Sequence, residues 1–361
     1  MADDLVLDGV TKRYGALTPL DRISVTIPGN TYVSLLGPSG SGKTVLLRVI
    51  AGFEAPDAGS VRLGGRRLDG MAAHLRGIGF VFQNYALFPH LSVRDNIGFG
   101  LASRAVEPVR DPAALRRRVD AMIALVGLEG LGERGVHQIS GGQRQRVALA
   151  RTLVTEPRLV LLDEPLGALD ANLRTRMRGE LRRIREQLGV TFLHVTGSDT
   201  EALAIGDQVI VLDRGTIAQH DLPDTVYNRP NSAQVARFLN CYNIFPGRRD
   251  GARFVSEIAA FPLAESVARG DGAGREPAYC IRQDLIEIRA ADAPVASGEA
   301  ALPAEFIASE YSGASIAYFF RTARGETVEV EAHLSHRRPV ELEPQRRYTL
   351  AWDAGRAVVF A

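Results

Sequence analysis

The run Gly37-Pro38-Ser39-Gly40-Ser41-Gly42-Lys43-Thr44 constrains the fold of this 361-residue chain more than any other segment. It follows an apolar stretch, Thr31 to Leu36, and precedes a helical one, Val45 to Ala51. Glycines so placed let successive backbone N–H groups from Ser39 to Val45 converge on one anion, and the start of the following helix adds positive potential. A strand, a glycine-rich turn and a helix in this order make a P-loop, in which Lys43 neutralises the β- and γ-phosphates and the Thr44 hydroxyl ligates Mg²⁺. The lysine stands out, because Lys12 and Lys43 are the only two in the chain and every other basic residue is arginine. Lysine serves phosphate as a compact point charge, which arginine does not.

Two further segments extend this chemistry. In Arg158-Leu159-Val160-Leu161-Leu162-Asp163-Glu164-Pro165, four apolar residues deliver two carboxylates to the end of a strand, where open α/β sheets bind ligands. Neighbouring strand residues point in different directions, so Asp163 can support Mg²⁺ while Glu164 polarises an attacking water. In Ile139-Ser140-Gly141-Gly142-Gln143, Ser140 and Gln143 form a capping box for the helix that runs to Val154. The two glycines ask for more, since each costs about 1 kcal/mol relative to alanine inside a helix. Their place in the first turn suits the close approach of a phosphate, and that phosphate can belong to a nucleotide on a second subunit.

At about 150 residues per domain, the length predicts two or three domains. Up to about Val211, short continuous apolar runs (Val33 to Leu36, Gly79 to Phe82, Leu159 to Leu162, Thr191 to Val195, Val209 to Leu212) alternate with helical patterns. These read as strands of a mostly parallel sheet buried on both faces. One helix carries Leu173, Met177, Leu181, Ile184 and Leu188 on one face and ends at Gly189; another begins with Asp111 as N-cap and Pro112 at its first position. The triple Arg116 to Arg118 has no interleaved aromatics and reads as a solvated helix face. Beyond about Asn240, alternating runs such as Thr327 to Glu331, Tyr348 to Trp352 and Ala357 to Phe360 predict a small all-β domain of one or two OB-like barrels.

Composition narrows the function. The 43 basic and 42 acidic residues leave a net charge of +1, which argues against a nucleic-acid binder working through overall charge. Two cysteines, Cys241 and Cys280, make no disulfide framework and fit a reducing compartment. No apolar run reaches the roughly 18 to 20 residues of a membrane span, and the acidic opening Met1 to Asp4 lacks the basic start of an export signal. A soluble chain inside the cell is expected.

Taken together, the three motifs resemble the nucleotide-binding subunits of ABC transporters, whose signature Leu-Ser-Gly-Gly-Gln appears here with Ile139 in place of leucine. The resemblance implies an ABC-type α/β P-loop NTPase over residues 1–240, with a helical subdomain at about 84–155. It implies a head-to-tail homodimer with ATP held between one subunit's P-loop and the other's Ser140 to Gln143. Tyr14 would stack on adenine, Gln83 would monitor Mg²⁺ and the coupling interface, and Asp170 would bridge the subunits. The segment Gln83 to His90 would contact one of two membrane permease subunits, with an external solute-binding protein as a further partner. Such a subunit sits peripherally on the cytoplasmic face of the inner membrane. Residues 241–361 are similar to the TOBE-type extension of import ATPases for solutes such as maltose, polyamines, ferric iron and sulfate. Tyr242 to Gly247, Ile281 to Asp284 and Ala351 to Asp353 carry that similarity, and the iron and polyamine branch is preferred.

One position departs from the pattern. Where the family has Val-Thr-His-Asp-Gln, this chain reads Val195-Thr196-Gly197-Ser198-Asp199, so Gly197 replaces the switch histidine that contacts the γ-phosphate. His194, three residues upstream within the strand, is not placed to stand in. Loss of a positioned polar group at developing charge costs about 10²- to 10³-fold in rate. The expectation is a chain that binds Mg-ATP and hydrolyses it slowly. The alternative from a different class is an ATP-gated regulatory subunit in which occupancy matters more than turnover.

Overall fold

The structure is a computed structural model that describes residues 3–104, 107–167, 169–263, 268–270, 277–335 and 340–360. Met1 and Ala2, where the acidic opening begins, lie outside the described residues. The chain separates into two compact units, residues 1–223 and 224–361. The division thus falls at Pro223, earlier than the change of texture near Asn240, because two short helices before Asn240 group with the β-rich unit.

The first unit begins with β1 (Leu5–Tyr14), β2 (Leu17–Ile27), β3 (Tyr32–Leu36), α1 (Lys43–Ala51), β4 (Ala58–Leu63), β5 (Arg66–Arg67) and β6 (Ile78–Val81). Three helices follow, α2 (Val93–Ser103), α3 (Pro112–Leu125) and α4 (Gly141–Leu153). The unit closes with β7 (Leu159–Asp163), α5 (Ala171–Leu188), β8 (Thr191–Thr196), α6 (Asp199–Ile205), β9 (Gln208–Asp213) and β10 (Thr216–Asp221). One sheet is antiparallel, β2-β1-β4-β5; the other runs β10-β9-β3-β8-β7-β6, with β10 antiparallel on an otherwise parallel sheet.

The continuous apolar strands are explained by two cores. Val33, Leu35, Leu159, Leu161, Leu193, Val195, Ile210 and Leu212 point to one face, against α1 and the antiparallel sheet. Tyr32, Val160, Leu162 and Phe192 point to the other, against residues of α2, α4 and α5. Alternate residues of each central strand therefore enter different cores, and a polar residue at either parity would be buried. The N-terminal strands were harder to read, since β1 pairs with β2 through three register shifts that break the alternation.

The two expected helices form. Asp111 accepts from the N–H groups of Ala113 and Ala114 with Pro112 at the first position of α3, and α5 ends at Gly189 in a left-handed conformation. Arg116 to Arg118 lie on a solvated face, where Arg118 pairs with Glu156 at 2.8 Å. Leu188 differs from expectation. Met177, Leu181 and Ile184 are buried, but Leu188 is 43 % exposed at the last turn, past the edge of the core.

The second unit opens with α7 (Pro223–Asn228) and α8 (Ala233–Phe238). Its strands are β11 (Tyr242–Asp250), β12 (Arg253–Ser256), β13 (Ala260–Pro262), β14 (Ala268–Gly270), β15 (Ala278–Arg282), β16 (Glu287–Ala290), β17 (Glu299–Tyr311), β18 (Ser315–Arg321), β19 (Thr327–His333), β20 (Arg347–Asp353) and β21 (Val358–Phe360). They form two sheets, β13-β12-β11-β15-β21-β14 and β16-β20-β17-β18-β19, around one core rich in aromatic residues. On β19, Val328 and Val330 are buried as the alternation predicts. Glu329 on the opposite face is only partly wet, accepts from Gln283 Nε2 at 3.1 Å, and has its carboxyl pushed up by burial.

Trp352, the chain's single tryptophan, lies at the centre of that core, and its indole N–H donates to Tyr279 Oη at 2.9 Å. Replacing Tyr279 by Phe leaves the buried N–H unpaired, which costs about 1–3 kcal/mol. Denaturant titration followed by Trp352 fluorescence should show an earlier transition for Tyr279→Phe, with the slope unchanged.

Candidate nucleotide-binding site

Parallel pairing brings three strand ends to one edge of the sheet. Leu36 pairs with Thr196, and Asp163 with Val195, so β8 ends between β3 and β7. The P-loop leaves β3, Glu164 leaves β7 and Gly197 leaves β8 at the same carboxyl edge. This is where open α/β sheets place their ligands.

The P-loop glycines have separate tasks. Gly42, with φ of 103°, precedes α1, and a Cβ there would run into the Pro19 carbonyl. Gly37 has no room for a side chain against the Leu212 carbonyl, while a Cβ on Gly40 would meet nothing within 4 Å. Gly40 has space around it but a φ of 80°, a left-handed backbone that glycine adopts without strain and that leaves the loop open to a ligand. Lys43 is buried, and its ammonium donates to the carbonyls of Gly37 and Pro38, each at 2.8 Å. Burial pushes its pKa down, and the Glu164 and Asp163 carboxylates pull it up. Ser41 Oγ is buried without a hydrogen-bond partner, an unfilled polar atom in the loop that a phosphate oxygen would complete. The far end of α1 is held by Arg76, which donates to the carbonyls of Val49 and Ile50 at 2.9 Å each. A cation there complements the helix dipole.

Thr44 Oγ1 lies 3.5 Å from Asp163 Oδ1, so two oxygen donors suited to a hard cation face each other across strand and helix. Burial raises the Asp163 pKa, the Glu164 charge raises it further, and Thr44, Arg48 and Lys43 oppose. Glu164 adopts a φ of 45°, rare for a side chain of its size, and its N–H donates to the Val195 carbonyl at 3.1 Å. Gln83 Nε2 donates to Glu164 Oε2 at 2.9 Å, which ties the loop after β6 to this carboxylate. Gly197 has an ordinary backbone conformation, and a Cβ there would meet nothing within 4 Å. His194 is fully buried, hydrogen-bonded through Nδ1 to Tyr32 and with Nε2 2.8 Å from Glu201 Oε1, and does not reach this edge.

Tyr14 is 44 % exposed, available for stacking, and its hydroxyl donates to the Glu54 carboxylate. The Lys12 ammonium sits 5.4 Å from the centroid of the same ring, a cation–π distance. The same ammonium donates to the Ala55 carbonyl at 2.9 Å and lies 3.5 Å from Asp57 Oδ1.

Ser140 caps α4: its Oγ accepts from Gln143 N at 3.3 Å, and Gln143 Oε1 accepts from Ser140 N at 2.8 Å. The two glycines differ here. A Cβ on Gly141 would meet nothing within 4 Å, whereas one on Gly142 would press on the Leu173 side chain at 2.8 Å, so Gly142 already has a packing reason. Asp170 caps α5 by accepting from Leu173 N at 2.9 Å. Among the described residues, no hydrogen bond or ion pair joins Ser140 to Gln143, or Asp170, to the P-loop of the same chain.

Residues 20–167 match the family model described as ABC transporter, and residues 279–360 match the TOBE domain. Over 297 residues the chain is 43% identical to the sulfate/thiosulfate import ATP-binding protein CysA 2 of Chromobacterium violaceum, covering 82% of this chain and 79% of that protein. The chain belongs to the ABC transporter family of import ATP-binding proteins. Another member, the spermidine/putrescine import ATP-binding protein PotA of Rubrobacter xylanophilus, is 38% identical over 359 residues, 98% of this chain and 92% of that one. The solved ATP-binding cassette MJ0796, a dimer in a post-hydrolysis state with ADP and Pi, matches with a TM-score of 0.55 and 29% identity over 61% of this chain and 98% of that one. As a member of this ATPase family, the chain binds ATP and couples its hydrolysis to transport. No helix among the described residues is long and apolar enough to cross a membrane.

The raised Asp163 pKa has a sign that can be measured. The folded chain holds a proton on this carboxyl more readily than the unfolded chain does, so the stability attributable to Asp163 falls as pH rises through the carboxylate range. In metal-free and nucleotide-free protein, Asp163→Asn should raise the thermal midpoint at pH 7, with the difference fading below about pH 4, where Asp is protonated in both states. The same substitution should lower ATP hydrolysis by at least about 100-fold.

Proposed function

We propose that the chain is the ATP-hydrolysing subunit of an importer for ferric iron or a polyamine, acting as a homodimer on two membrane permease subunits fed by an external solute-binding protein. It would bind peripherally on the cytoplasmic face of the inner membrane. The observation that carries the reading is the meeting of P-loop, Asp163, Glu164 and Gln83 at one sheet edge. The branch of solute is supported by reach. PotA of Rubrobacter xylanophilus matches 98% of this chain, and the Fe(3+) ions import ATP-binding protein FbpC of Agrobacterium fabrum 92%, so both similarities extend well into the second unit.

In this reading Tyr14 stacks on adenine, and the loop from Ser39 to Val45 with Lys43 holds the phosphates. Thr44, Gln83 and Asp163 supply oxygens to Mg²⁺, which when bound offsets phosphate charge. Glu164 accepts a proton from water as the water oxygen bonds to the γ-phosphorus and the bond to the β–γ bridging oxygen breaks. Ser140, Gly141 and Gln143 reach the γ-phosphate held by the other subunit, and the open space at Gly141 supports that approach. Asp170 lies at the same interface.

The segment Gln83 to His90 has the character of a docking surface for the permease. Tyr85 and Ala86 have φ of 64° and 45°, and Arg151 holds both carbonyls, at 2.9 and 2.7 Å, while lying 5.6 Å from the Phe88 ring centroid. Phe99, whose ring centroid is 4.4 Å from that of Phe88, and Phe82, immediately before the segment, are exposed. A strained loop held by a half-buried arginine beside exposed aromatics is suited to an interface.

Gly197 supports slow turnover, since no side chain from that position reaches the γ-phosphate. An ATP-gated subunit with little hydrolysis is the second reading, and the same bare position favours it. Space around Gly197 allows a direct test: Gly197→His should raise kcat by about 10²-fold with little change in ATP affinity. An ordinary rate in the unaltered chain, with no gain from the substitution, would show that Gly197 is no handicap. Co-purification from membranes with two multispanning proteins tests the assembly, and its failure would count against an importer.

A further inference from the structure

His194 and Glu201 form a buried pair that none of the steps above uses. His194 is fully buried on β8, and Glu201, in the first turn of α6, is 4 % exposed. His194 Nδ1 is 2.9 Å from Tyr32 Oη on β3. Nε2 is 2.8 Å from Glu201 Oε1, a close polar contact between two buried atoms that do not meet in hydrogen-bond geometry. With the Tyr32 hydroxyl donating to Nδ1, a neutral imidazole carries its proton on Nε2, the nitrogen that faces Glu201. Burial, with Glu201 and Asp207 nearby, drives the Tyr32 pKa well up and keeps that hydroxyl protonated.

The pair brackets the departure from the family pattern. Between β8 and α6 lie only Gly197 and Ser198. Ser198 N–H donates to Thr196 Oγ1 at 3.0 Å, and Ser198 Oγ accepts from Glu201 N at 3.3 Å. One residue beyond His194, the Val195 carbonyl accepts from the N–H of Glu164, whose left-handed backbone needs neighbours to hold it. Removing one member of a buried polar pair leaves the other uncompensated, so the contact is costly to break.

We propose that His194 and Glu201 are positioning residues: the pair pins the start of α6 to β8, holding the 196–198 segment and, through Val195, the strained backbone of Glu164. The water site then keeps its shape although residue 197 carries no side chain. The proposal rests on Glu164 as the proton acceptor.

The test measures kcat for ATP and, separately, ATP affinity in the unaltered chain and in Glu164→Gln, Glu201→Ala, Glu201→Gln and His194→Phe. Glu201→Ala and His194→Phe should lose about tenfold in kcat with affinity held within about twofold, while Glu201→Gln, which keeps a polar side chain of the same size against Nε2, stays within about threefold. Hydrolysis that survives in Glu164→Gln overturns the assignment of the base, and the proposal with it. If Glu164→Gln is inactive but the pair variants turn over at the unaltered rate, or lose affinity and kcat together, the positioning role alone is overturned. Should the Glu201→Ala or His194→Phe variant fail to fold, amide exchange of the unaltered chain decides. Ser198 to Ala202 amides exchanging within about tenfold of those in β8 support the pin, and exchange at open-loop rates overturns it.

Discussion

Burial of the parallel sheet on both faces is the constraint from which the nucleotide site follows. A strand whose alternate residues enter two different cores cannot slip by one position without driving its whole pattern into the wrong core. The pairing of Leu36 with Thr196 and of Asp163 with Val195 is therefore rigid, and it sets where the P-loop, Glu164 and Gly197 emerge. A fully buried leucine contributes about 1.5–3 kcal/mol, so the strands that present the polar groups are also among the most strongly held parts of the unit. Chemistry sits on the loops, but its spacing is decided in the apolar interior.

Against that rigid edge stand several groups held at a cost. Glu164 has a left-handed backbone, Asp163 is half-buried beside another carboxylate, Lys43 is buried among carbonyls, and Ser41 Oγ has no partner. Each departs from what stability alone would choose, and they share one edge of one sheet. Such clustering is the physical mark of a working site. Gly197 differs in kind, since it is unstrained and surrounded by space.

The P-loop, the paired carboxylates and the capping box could be read directly, because each depends on residues adjacent in sequence. The parallel strands were legible for a related reason: a short, unbroken apolar run bounded by turn residues suits a strand with both faces buried. The antiparallel sheet was not, as bulges along β1 erase its period. Nor could spacing reveal that Gly142 is small for the sake of Leu173, or that His194 faces Glu201, since these contacts join separate elements. Leu188 shows the limit of periodicity, which marks the face of a helix but not the point where the core beneath it ends.

The distribution of amines has a practical side. With Lys12 beside the Tyr14 ring and Lys43 in the P-loop, the chain has just two lysine ε-amino groups, and its 41 other Lys-or-Arg positions are guanidinium. Acylating reagents that ignore arginine thus have no side-chain target elsewhere. Apart from the amino terminus, covalent labelling of amines in this protein reports on two positions alone, one of them inside the P-loop.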